Sequence, residues 1–149
     1  MAETNSNIGD VLAPVDYVVV EFPDGQPTAG GFDRLLDLAD RRVIQVLDVE
    51  FLRRDTAGVQ LIPATELPSV PGLDLGLWQG ASSGLLNGED LALIGEQMTV
   101  GAVAVVVVFE NLWVLDVVTS WTTAGGRILL DGGIPVADLM VALEEAESR

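Results

Sequence analysis

The residues of this chain that could do chemistry are its carboxylates, and two groups of them are placed to try. Glu21 closes the apolar run Val18-Val-Val-Glu-Phe22, and Glu110 follows the run Val103–Phe109. If these two segments are parallel strands, Glu21 and Glu110 emerge at one end of a sheet, next to Asp24 and Asn111. Oxygen ligands of this kind suit Ca²⁺ or Mg²⁺. A solvated acidic rim reads the same way, and the spacing matches no calcium-loop motif. The second group is Asp48 and Glu50. They stand two apart in the run Val43–Arg53, so a strand puts both on one face. Burial there would raise a carboxyl pKa and fit it for acid–base work, but no base–orienter pair accompanies them.

The other side chains narrow the chemistry further. The sequence contains no Cys, no His and no Lys, and its seven basic residues are all Arg. That removes the thiolate nucleophile, the zinc–thiolate site, the imidazole base, the Schiff-base amine and the P-loop lysine. No cofactor motif is present, and a non-enzymatic protein without a cofactor is the expectation. A net charge of −16 disfavours nucleic acid and anionic membrane surfaces as partners. It would attract a cation or a basic protein, and it would equally serve solubility. The first seven residues, Met-Ala-Glu-Thr-Asn-Ser-Asn, have neither a basic nor an apolar region, so a cytoplasmic protein without a membrane span is expected.

The elements that must position these groups follow from periodicity. With 49% hydrophobic residues in a chain of 149, one α+β domain over residues 14–149 is expected, after a flexible tail over 1–13. The run Gly101-Ala-Val-Ala-Val-Val-Val-Val-Phe109 is β-branched and does not alternate with polar residues. It reads as a central strand covered on both faces. Asp16–Phe22 and Val43–Arg53 read as further strands, and Val59–Ile62 as a hairpin strand returning after Asp55-Thr-Ala-Gly58. Phe32, Leu35, Leu36 and Ala39 make the buried stripe of a surface helix. Asn87 caps a helix carrying Leu91, Ile94 and Met98. Further helices are expected over Leu112–Ala124 and from Pro135, with a short strand over Arg127–Asp131 between them.

Two strand–helix–strand units thus echo each other. They predict a ferredoxin-like duplicated βαβ sheet, mainly antiparallel, with Val18–Phe22 and Val103–Phe109 parallel in the middle. Helices would cover one face, and the hairpin strand and C-terminal helix would be additions. The other face would carry Tyr17, Val19, Ile44, Val46, Ala104, Val106 and Val108. It is too apolar to stay wet, so the Leu91–Met98 helix, the C-terminal helix or a second subunit must cover it.

Two further patterns suggest contact surfaces. Gly72, Gly76, Gly80, Gly84 and Gly88 recur every four residues. On one helix they would line a stripe that lets another backbone approach closely, whereas in a loop the spacing is chance. Trp113 and Trp121 lie on one side of the Leu112–Ala124 helix, in the core or on a contact patch.

The segments Pro14–Pro23, Val46–Phe51, Ser83–Leu91 and Phe109–Trp113 resemble a family of small acidic actinobacterial proteins of unknown function, itself similar to uncharacterised bacterial proteins with a glycine-zipper middle segment. The resemblance implies a cytoplasmic protein without an assigned reaction and supplies no catalytic residue. Asp74, Gln79, Ser82 and Ser83 interrupt the zipper segment here. The expectation is therefore an oligomeric structural or interaction module, with a homodimer favoured and a basic protein as a possible partner. Gly76, Gly80, Gly84, Trp113, Trp121, Val106 and Val108 would form its contacts. The alternative is a module that binds a cation or small ligand through Glu21, Asp24 and Glu110.

Overall fold

The computed structural model describes residues 13–129. Among these, Val15–Trp113 form one compact unit, and Val114–Leu129 belong to a second. The elements in order are β1 (Val15–Phe22), α1 (Ala29–Asp40), β2 (Gln45–Asp55), β3 (Gly58–Ile62), α2 (Leu75–Gln79), α3 (Gly88–Gln97), β4 (Val103–Glu110) and α4 (Leu112–Thr123), with a single 3₁₀ turn at Ala64–Glu66. The strands form one open four-stranded sheet in the order β1-β4-β2-β3. Every neighbouring pair in it is antiparallel.

The valine run becomes β4, and it is central as expected. It is paired on one side with β1 and on the other with β2. Its side chains alternate between two cores. Val103, Val105 and Val107 belong to one, Ala104 and Val106 to the other. The predicted hairpin also forms. Asp55 Oδ1 accepts the amides of Ala57 and Gly58 at 2.8 and 3.0 Å and holds the turn between β2 and β3.

The expected parallel pairing of the two long valine strands does not form. Val18 lies opposite Val107 and Glu21 opposite Ala104, in an antiparallel ladder. The reason is the route of the chain. β1 and β2 both run antiparallel to β4, so they are parallel to each other. The α1 crossover joins them and leaves a one-strand gap, which β4 enters from the opposite direction. Of the strand expected at Arg127–Asp131, Arg127–Leu129 are not in a strand, and the remainder lies outside the described residues. So does the helix expected from Pro135.

Helices cover both faces of the sheet rather than one. On the first face, Phe32 of α1 packs against Phe51 of β2 and Trp78 of α2, with ring centroids 6.0 and 5.0 Å away. Leu35 and Leu36 join that core, as their helical spacing predicts. On the second face, Leu91 and Ile94 of α3 pack against Leu52, Met98, Ala104 and Val106. Of the covers considered for that apolar face, the Leu91–Met98 helix is seated on it within this unit. α3 starts at the expected cap, because Asn87 accepts the amide of Asp90 and Asp90 accepts the amide of Asn87, both at 2.9 Å.

Two local irregularities set the faces of β2 and the path of the glycine segment. A register shift between Val46 and Asp48 inserts Leu47 as a bulge. Val46 therefore joins the α1 core instead of sharing a face with Asp48 and Glu50. The five glycines do not share a helix. Gly72 and Gly84 have φ of +82° and +70°, Gly76 and Gly80 lie in and at the end of the five-residue α2, and Gly88 opens α3. A backbone at positive φ leaves the right-handed helix, so the four-residue spacing builds no stripe.

Candidate functional site

Asp48 and Glu50 project from β2 toward the α3 face, opposite Val108 and Val106 of β4. They are the two buried charged residues among those described, at 0% and 6% exposure. A lone buried carboxylate is costly, and the loop between α2 and α3 meets both. Ser83 N and Leu85 N donate to Asp48 at 2.6 and 3.2 Å. Ser82 Oγ and Gly84 N donate to Glu50 at 2.7 and 2.9 Å. Ser83 Oγ adds a bond to Leu47 O at 2.8 Å, and Val49 N donates to Ala81 O at 3.1 Å. Four successive loop residues are thus laid along two strand carboxylates. The positive φ of Gly84 lets its amide turn inward between those of its neighbours.

Burial pushes the Glu50 carboxyl above the usual glutamate range. The Ser82 hydroxyl and the Gly84 amide pull it down, while the neighbouring Asp48 pushes it up both as a hydrogen-bonding partner and as a charge. The amides of Ser83, Gly84 and Leu85 are all engaged by carboxylates, so the arrangement works as a clamp on the loop.

The clamped loop walls a cleft on the same face. The cleft encloses about 330 Å³ between α3 and the outer part of the sheet, against Tyr17, Val19, Leu86, Ile94, Val106 and Val108. Leu85, whose amide is held by Asp48, lies on its rim. Val106 and Val108 separate the cleft from the carboxylate pair, which does not line it. Among the described residues, the charged ones at the cleft are Asp16 and Asp90, and both carboxylates are engaged, by Asn111 Nδ2 at 2.7 Å and by the Asn87 amide at 2.9 Å.

The strand-end carboxylates do not meet. Antiparallel pairing puts Glu110 opposite Val15 and Glu21 opposite Ala104. They are six residues apart along β4, about 20 Å at the rise of a strand. Glu21 instead accepts the amide and hydroxyl of Thr99 at 2.9 and 3.3 Å, and Asp24 accepts the amide of Gln26 at 3.0 Å within a turn. Among the described residues no group of three His, Cys, Asp or Glu is placed to hold a metal ion.

The expected contact residues scatter as well. Val106 is buried beneath α3, Val108 is half-buried, and Gly76, Gly80 and Gly84 lie along a turn-rich segment. Trp113 and Trp121 are exposed. The residues that sequence reasoning missed are Ser82, Ser83 and Leu85. Their signal was present, because two acids on the core face of a strand require donors from elsewhere.

A family of unknown function, DUF6325, matches residues 11–146. The chain belongs to this family. No curated protein and no solved structure matches it. Within the DUF6325 match lie the whole sheet, the clamped loop and the cleft, so all are features of the matched region. No described helix is long and apolar enough to cross a membrane.

Proposed function

We propose that this chain is a non-enzymatic interaction module that assembles with a second copy of itself through the outer edge of β1. The observation that carries this reading is the exposure of that strand. Val15, Tyr17, Val18 and Val20 are between 44% and 72% exposed, and among the described residues β1 pairs with β4 alone. Exposed edges invite pairing with another chain, and proteins usually blunt them with Lys, Pro or a bulge. β1 has no Pro, its register with β4 is unbroken, and the chain has no Lys.

The sequence of β1 also favours one kind of pairing. Antiparallel pairing centred between Val18 and Val19 would set Asp16 against Glu21 of the other copy, which like charges disfavour. Centring on Val18 sets Asp16 against Val20 and Tyr17 against Val19, and avoids that repulsion. This register joins like faces and continues the sheet across the two-fold axis. Burying a few hundred Å² of such surface at about 25 cal/mol per Å² is worth several kcal/mol. Repulsion between two chains of charge −16 opposes it and weakens with salt. Light scattering behind a sizing column tests the reading, with a dimer that strengthens with salt as the expected result.

A further inference from the structure

We propose that the loop between α2 and α3 is a proton-controlled latch, closed on β2 while the Asp48–Glu50 pair holds a proton and lifted from the sheet once that proton leaves. This does not depend on assembly through β1. Ser82, Ser83, Gly84 and Leu85 are themselves exposed, whereas the carboxylates beneath them are 6% exposed or less. Apolar burial therefore does little to hold these four residues down. Each of the four carboxylate oxygens instead accepts one bond from them, at 2.6 to 3.2 Å. Ala81 and Leu86, which pack against the two cores, bracket the movable part. Leu85 is on the rim of the cleft, so the latch also sets how open that cleft is.

The surroundings give the pair no positive charge to lean on. Among the described residues the ion pairs are Arg41–Asp37 and Arg53–Glu66, and neither includes these acids. Opposite the pair on β4 stand Val106 and Val108. α3 meets this face through Leu91 and Ile94, while its Glu89 and Glu96 are exposed and its Asp90 accepts the Asn87 amide. β3 has no titratable residue. Farther along the same face, Arg54 donates to the carbonyl of Gly95, Glu21 accepts Thr99, and Tyr17, beyond Val108, is largely exposed. With one proton the pair carries a single charge, and the Glu50 acid hydroxyl can donate to Asp48. With none, two like charges about 7 Å apart along the strand lie buried without a counterion. Water reaches them by lifting Ser82–Leu85 away. Burial, which holds the proton on Glu50, works in the same direction.

The test is amide hydrogen exchange on the full chain from about pH 4 to about pH 9, with the Glu50 carboxyl carbon followed by NMR. Corrected for intrinsic rates, protection of the Ser83, Gly84 and Leu85 amides should be full at acid pH. It should fall by up to about tenfold per pH unit between the pKa of a free glutamate and that of folded Glu50, then level off. The Val105 and Val107 amides of β4 should keep their protection throughout. Glu50→Gln, which cannot ionise, should keep the loop protected at every pH. Loop protection that stays constant while the parent's Glu50 titrates would overturn the proposal, and this reading does not need the variant to fold. The same fall in Glu50→Gln would overturn it as well. So would an equal fall in the β4 amides, which would make the event unfolding of the whole sheet.

Discussion

Asp48 Oδ1 accepts the backbone amide of Ser83 at 2.6 Å, across 35 residues of sequence. With the Ser82 and Gly84 bonds to Glu50, this contact ties the loop between α2 and α3 to the middle of the sheet. Removing the acceptor leaves two loop amides without a partner. Asp48→Ala should cost roughly 3 kcal/mol of stability, and Asp48→Asn, which retains one carbonyl acceptor, about half of that. Urea unfolding followed by the fluorescence of Trp78, buried in the α1 core, reads both values.

Glu50 should show the opposite behaviour. Burial raises its pKa in the folded protein above that of a free glutamate. A raised pKa means that the folded state holds the proton more tightly. Its contribution is fully present below the unfolded pKa and is lost as pH rises through the folded one. Glu50→Gln keeps the shape, carries no charge and can donate to Asp48. The variant should be more stable than the parent at neutral pH, with the advantage shrinking as the pH falls toward the pKa of a free glutamate. Thermal melts of both proteins across that range check the sign.

Gly95 in α3 lies against Val59 of β3, and a Cβ there would meet Val59 Cγ1 at 2.7 Å and Cβ at 2.9 Å. The carbonyl of Gly95 also accepts Arg54 Nη1. Alanine in place of a helical glycine ordinarily gains about 1 kcal/mol. Overpacking against a backbone-proximal atom costs about 1–3 kcal/mol. The second effect should win, and Gly95→Ala should destabilise the protein by about 1 kcal/mol. Pairing it with Val59→Ala should recover much of the loss in a double-mutant cycle.

Asn87→Ala removes the acceptor for the Asp90 amide at the start of α3. The expected cost is about 1 kcal/mol, measured by urea unfolding. Because α3 walls the cleft, cleft methyl signals should broaden in the same variant.

These outcomes depend on features that the sequence disclosed unevenly. The Gly101–Phe109 run announced a central strand because its composition admits nothing else, and the Phe32–Ala39 spacing announced which helix face is buried. The pairing direction was illegible. It is set by where α3 returns the chain, and the α3 pattern Leu91-Ile94-Met98 fits either face of the sheet. The bulge at Leu47 carries no Gly or Pro to mark it, so strict alternation puts Val46 on the face of Asp48, whereas it faces the other core. The regular glycine spacing misled for a related reason. Glycine is as useful at the positive φ of Gly72 and Gly84 as on a helix surface, and spacing alone does not distinguish the two. The buried acid pair was half legible. Strand alternation puts Asp48 and Glu50 on one face, but their partners come from a loop whose path no periodicity encodes.

The most direct test of assembly through β1 is the solution mass of the parent chain beside a Val18→Lys, Val20→Lys double variant, by light scattering at low and high salt. Both side chains are exposed, so the variant should fold, and its added positive charges reduce the repulsion between copies. The parent should have twice the 15.8 kDa chain mass, more fully so at high salt. The variant should stay at 15.8 kDa in both, because lysine blunts an edge whatever the net charge. A parent that is monomeric at every salt and protein concentration, or a variant that dimerises as well as the parent, would contradict the account.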